Sequence, residues 1–90
     1  MDHYEIVKVT RNFKVANLTK KVVIPIIFDL THTHSINSIF LSYCLYNRDK
    51  VILASPNSLI MNVIKILDVR DMLIIAKDLE TAKLLVKNLS

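Results

Sequence analysis

Ile26-Ile27-Phe28-Asp29-Leu30-Thr31 runs directly into His32-Thr33-His34-Ser35-Ile36-Asn37-Ser38-Ile39-Phe40-Leu41. The first six residues are a short apolar run, rich in β-branched side chains, that stops at a polar cluster. Such a run reads as a buried strand over 26–30. The Thr/His/Ser/Asn stretch that follows reads as a loop. It leads into a dense apolar segment through Ser38, whose hydroxyl suits a helix N-cap. Strand, polar loop and helix in that order place hydroxyls and imidazoles at the carboxyl end of a strand, where open α/β sheets gather their ligands. A helix N-terminus at the same place also favours anions.

Downstream the pattern repeats. Residues 38–47 read as a helix whose apolar side chains, Ile39, Phe40, Leu41, Tyr43, Cys44, Leu45 and Tyr46, wrap most of its circumference. A helix of that kind is buried on several sides or lends one side to an interface. Arg48-Asp49 turns the chain into a second buried-type strand, Lys50-Val51-Ile52-Leu53-Ala54. Ser55-Pro56 then reads as a cap followed by proline at the first helical position, with Leu59, Ile60, Val63, Ile64 and Leu67 as the apolar stripe. Asp68 to Asp71 is a polar break, and Leu73-Ile74-Ile75-Ala76 a last short strand. Asp78 caps a final helix with Leu79, Ala82, Leu85, Val86 and Leu89 on one face, and Lys83 and Lys87 toward its C-terminus, where the dipole favours cations.

Upstream, Tyr4 to Thr10 reads as a strand, Arg11-Asn12 as a turn, and Phe13 to Val15 as a little more strand. Asn17 is a candidate cap for a short helix through Lys21. Val22-Val23-Ile24 prefers strand, and Pro25 reads as the start of the strand 26–30 because the residue before a proline avoids the helical region. Strand–helix–strand units after residue 26 imply parallel neighbours joined by right-handed crossovers.

Composition narrows the function classes. Of the 90 residues 52% are hydrophobic, above the roughly 45–50% of an average globular chain, so a core forms without metal or disulfide. The single cysteine, Cys44, excludes an internal disulfide and fits a reducing, cytoplasmic setting. No apolar run approaches the roughly 18–20 residues of a membrane helix, and the acidic start, Met1-Asp2-His3-Tyr4-Glu5, lacks a signal-peptide core. Glycine is absent. Phosphate-cradling loops, dinucleotide fingerprints and nucleophile elbows need glycine for tight turns and close backbone approach, so none is present in standard form. The net charge of +4 has its excess at Lys8, Arg11, Lys14, Lys20 and Lys21. Only Tyr4 and Phe13 accompany them, a thin version of the basic, aromatic-interleaved face of a nucleic-acid binder.

The order of these motifs resembles the STAS domain, named for sulfate transporters and anti-sigma-factor antagonists. Phe28-Asp29-Leu30-Thr31 is similar to that family's strand end, and Asn37-Ser38-Ile39-Phe40-Leu41 occupies its Asp-Ser-Ser/Thr-Gly-Leu loop motif. Ser55-Pro56 matches its Ser-Pro helix start. Val63-Ile64-Lys65-Ile66 and 69–73 resemble its third helix and the hinge into the last strand, and Asp78-Leu79-Glu80-Thr81-Ala82 its final helix start. The likeness spans residues 26–90, and 4–25 fit as a shortened version of the first strands and helix. Asn37 stands where the family has Asp, Ile39 replaces the second hydroxyl, and Phe40 and Asp68 replace glycines. The resemblance implies one domain over 1–90, an α/β fold with a mixed four- or five-stranded sheet and helices packed mostly on one face. It also implies a non-enzymatic protein–protein interaction module of the anti-sigma-factor-antagonist type, a bacterial-type signalling regulator. Ser38 aligns with the serine that anti-sigma kinases phosphorylate, and a phosphate there would add about −1.5 to −2 charges at the docking surface.

The remaining side chains give less. His32 and His34, with His3, fall short of the three or four ordered ligands of a metal site, so neither metal nor cofactor is expected; a pH-responsive docking loop is another reading of the pair. Cys44, in an apolar helix, reads as packing rather than nucleophile. Asp29 ends a strand but has no second carboxylate before Asp49 for acid–base work. Tyr43 and Tyr46 share a helix side, as partner contacts do. The expected docking surface is therefore Thr31, His32, His34, Asn37, Ser38, Phe40 and Tyr43. Its expected partner is an anti-sigma-kinase-like protein or a transporter subunit, with no membrane span. The competing readings are a small basic nucleic-acid-binding domain and a structural oligomeric subunit, a homodimer included, of a transporter or signalling complex.

Overall fold

Side chains that are stiff at χ1 and apolar on both faces of a strand belong in the middle of a sheet, and the chain has two such runs. In a computed structural model, which describes residues 3–10, 13–15 and 22–89, Ile26–Asp29 (β2) and Val51–Ala54 (β3) are buried along their whole length. Glu5–Lys8 (β1), mostly exposed, and Ile74–Ala76 (β4) flank them. The sheet order is β1-β2-β3-β4. All three pairings are parallel, with Ile6 beside Ile27, Ile27 beside Ile52 and Ile52 beside Ile74. The four strands agree with the α/β expectation. The sheet is parallel throughout rather than mixed, because β1 enters it in the same direction as β2.

Three α-helices, Ser38–Tyr46 (α1), Ser58–Ile66 (α2) and Leu79–Val86 (α3), and a short 3-10 turn, Arg70–Met72, accompany the strands among the described residues. Successive right-handed crossovers in one direction carry α1 and α2 to the same sheet face. There Phe40, Leu41, Cys44, Ile60 and Ile64 pack on Ile26, Phe28, Val51 and Leu53. The alternate residues Ile27, Ile52, Ala54 and Ala76 point to the other face, which α3 covers with Ala82 and Val86. The alanines on both sides let α3 lie close to the sheet. Helices are thus split two to one between the faces. Burying each of Phe28, Ile52 or Ile60 contributes about 1.5–3 kcal/mol.

Aromatic rings fill the larger core under the open end of the sheet. Phe28 meets Phe40 edge-on at 4.9 Å between centroids, and Phe13 meets both at about 6 Å. The Phe13 N–H donates to the Thr10 carbonyl, and 13–15 do not form the expected strand. The turn expected at Arg11-Asn12 and the short helix expected over 17–21 lie outside the described residues. Asn47 closes α1: its Oδ1 accepts the Val22 N–H at 3.1 Å and its Nδ2 donates to the Tyr43 carbonyl.

Two helix starts differ from the sequence expectation in the same way. The cap of α1 is Asn37, not Ser38, and the cap of α2 is Asn57, not Ser55. Each asparagine is extended, and its Oδ1 accepts the N–H three residues on, from Phe40 and Ile60, at 2.8 Å. Asparagine caps at least as well as serine, so in each case the backbone geometry decides. Ser55 cannot cap because it lies in the left-handed region at φ 60°, turning the chain after β3. Asp68 is also left-handed, at φ 57°. It ends α2 as a Schellman motif does: the Asp68 N–H donates to the Lys65 carbonyl and the Val69 N–H to the Ile64 carbonyl. Glycine is the usual residue at that point.

Candidate functional site

The carboxyl ends of β1 and β2 open into a cavity of about 610 Å³. Val9, Phe13, Val15, Ile36, Ile39 and Phe40 make it apolar inside. Thr10, Lys14, His32, Thr33, His34, Ser35 and Asn37 add polar atoms. The connection 30–37 between β2 and α1 supplies most of this polar set, so the stretch that decides the fold also forms the site.

Local chemistry shapes that connection. Asp29, at the end of β2, is 8% exposed. Its Oδ1 accepts both the backbone N–H and the hydroxyl of Thr31, which turns the chain out of the sheet. Burial works to raise the Asp29 pKa. The two Thr31 hydrogen bonds, with the nearby charges of His32 and Lys8, outweigh it and hold the carboxyl below its ordinary value. Farther along, the Thr33 hydroxyl donates to the Ser35 carbonyl. Asn57 Nδ2 donates to the Thr33 carbonyl at 3.2 Å and the His34 carbonyl at 3.1 Å. One asparagine therefore caps α2 and tethers the site loop. Nothing in the sequence reading singled out Asn57; the signal was its place directly after Ser55-Pro56, where it was passed over for the serine.

The expected docking residues separate into two groups. Thr31, His32, His34, Asn37 and Ser38 are exposed, and His32, His34 and Asn37 line the cavity together. Ser38 is the first residue of α1, and no acidic side chain occupies that first turn. Phe40 and Tyr43 are core residues, 3% and 9% exposed, and this corrects their assignment as surface contacts: both rings pack on Phe28. Burial foremost raises the Tyr43 pKa. The large apolar side chains that α1 does present to solvent are Ile39 and Tyr46, seven residues apart and so on one helix face.

The other candidates take structural places. Cys44 is fully buried, and burial pushes its thiol up to about 12, far from thiolate chemistry. Among the described residues no three His, Cys, Asp or Glu side chains assemble as metal ligands, and no helix is long and apolar enough to cross a membrane. Of the N-terminal cations, Lys8 and Lys14 are exposed, while Arg11, Lys20 and Lys21 lie outside the described residues. No protein-family model, curated protein or solved structure matches the chain.

Proposed function

We propose that the chain is a non-enzymatic, cytoplasmic protein-docking module of the anti-sigma-factor-antagonist type, which presents the connection 31–38 and the exposed face of α1 to a protein partner. The observation that carries this reading is the placement of Ser38. Its side chain is exposed at the first position of α1, between the polar loop and the exposed apolar pair Ile39 and Tyr46. A phosphate at that position brings about −1.5 to −2 charges to the surface. The helix accepts it, because the positive end of the dipole lies there and the first turn holds no competing acid. Modification would therefore change what docks without unfolding what presents it. The left-handed Asp68 adds support, since it stands where the resembled family places glycine and has the backbone conformation that favours glycine. A kinase-like regulator or a transporter subunit is the kind of partner the resemblance implies.

The test is affinity purification of the tagged chain from its own cells, with low- and high-salt washes and mass spectrometry of the bound proteins and of Ser38. A regulator or transporter subunit that survives high salt is the expected result. Recovery of nucleic acid alone, lost as salt rises, would overturn the proposal.

A further inference from the structure

We infer that the cavity between the β1 and β2 ends is a binding site for a small amphipathic anion, an organic carboxylate with an aliphatic or aromatic body. The inference shares His32, His34, Asn37 and Ile39 with the proposed docking surface but does not rest on docking, and it stands on the cavity itself. Its volume of about 610 Å³ falls within the roughly 300–1,000 Å³ of small-molecule sites. Its interior offers Phe13, Val15, Ile36 and Ile39 to a hydrocarbon body.

The polar lining has one electrostatic character. Lys14, His32 and His34 contribute an ammonium and two imidazoles, Thr10 and Ser35 contribute hydroxyls, and no Asp or Glu is among the described lining residues. Asp29, at the end of β2, is buried and engaged by the Thr31 amide and hydroxyl. A cationic head would therefore meet Lys14 with no carboxylate to pair with. An anionic head meets Lys14, hydroxyl donors and the opening turn of α1, where Asn37 Oδ1 takes the Phe40 N–H and the Asn37 carbonyl takes that of Leu41. The earlier amides of that turn, those of Ser38 and Ile39, precede the helical ladder and have no intrahelical acceptor. A carboxylate over this turn, with its body against Phe13 and Ile36, uses both halves of the lining.

The test is titration of the isotope-labelled full chain with octanoate, 3-phenylpropanoate and octylammonium, followed by two-dimensional NMR. Octanoate or 3-phenylpropanoate is expected to shift the Ser38 and Ile39 amides, the 32–36 amides, the Phe13 ring signals and the Ile36 methyl signals. The better of the two identifies the body as aliphatic or aromatic. Octylammonium is expected to bind at least tenfold more weakly. Lys14→Glu, at an exposed position that leaves the core intact, should weaken the carboxylate about 5- to 10-fold. Equal binding of carboxylate and ammonium would overturn the inference. So would shifts centred on the exposed Leu59, Ile66 and Leu67 of the α2 region, or no shift at millimolar carboxylate. Any of these results leaves the recovery of a protein partner unaffected, so the two proposals fail separately.

Discussion

The molecule makes the same transition, strand to helix, twice on the same sheet face, and the two versions differ in what they leave open. After β2 the chain takes the long route 30–37 before α1. After β3 it takes the short route 55–57 before α2. Both end in the dipeptide Asn-Ser, at 37–38 and 57–58, and both use the asparagine as cap with the same 2.8 Å bond. In both, the residue whose N–H is capped, Phe40 or Ile60, drops into the core. The short connection is closed by a left-handed Ser55 whose N–H still pairs with the Ala76 carbonyl of β4. The long one leaves the sheet through Thr31 and encloses a cavity. Equal capping with unequal loop length separates a closed turn from a connection that lines a cavity, and Asn57 ties the two together through the Thr33 and His34 carbonyls.

The equivalence of the two helix starts breaks most visibly in the core. Phe40→Ala should cost about 3–5 kcal/mol and Ile60→Ala about 2–5 kcal/mol in denaturant unfolding, since each leaves a cavity in a close-packed interior. A loss below 1 kcal/mol for Phe40→Ala would mean that its ring is not seated between Phe13 and Phe28.

The caps should then differ. Asn37→Ala removes one capping bond and should cost about 1 kcal/mol. Asn57→Ala removes a cap and two bonds to the loop and should cost about 2 kcal/mol. Asn57→Ser keeps a capping oxygen but loses the amide donors. It should be intermediate in stability while speeding hydrogen exchange across 31–36. Equal costs for the two alanine variants would remove the tether from the account.

Much of this was legible in the sequence. The inner strands 26–29 and 51–54 follow from β-branched runs bounded by polar residues, and Asp78 caps α3 as read, accepting the Thr81 N–H. The two other caps read as Ser38 and Ser55 in the sequence, because Asn and Ser cap about equally and only φ and ψ separate them. The outward side of α1 was illegible for a different reason. With apolar residues nearly all round, periodicity cannot say that Phe40 and Tyr43 turn inward while Ile39 and Tyr46 turn outward. The cavity depends on Phe13 and Lys14 lining it opposite the 32–37 connection, a long-range juxtaposition that no local pattern encodes.

Smaller effects sharpen the contrast at the turns. Ser55→Gly should stabilise the protein by about 0.5–1 kcal/mol, because a left-handed backbone costs most residues more than it costs glycine. Asp68→Gly should act in the same direction. A loss of stability in Ser55→Gly would contradict the strained closure of the short connection. On the long connection, Asp29 has its carboxyl held below the ordinary 3.8. Its stabilisation is therefore complete above the unfolded value and fades as pH falls through the lower folded one. Thr31→Val, which removes the hydroxyl donor, should flatten the acid limb of the stability curve below pH about 4. An unchanged acid limb would separate Asp29 from that role.

The most direct measurement compares partner recovery by Ser38→Asp and Ser58→Asp, the same change at the same helical position of α1 and α2. Both variants should melt at or slightly above the wild-type temperature, since an acid in the first turn suits the dipole. The account predicts that Ser38→Asp loses the partner while Ser58→Asp keeps it. Retention by both, or equal loss from both, would contradict the claim that the surface beside the long connection is where this protein docks.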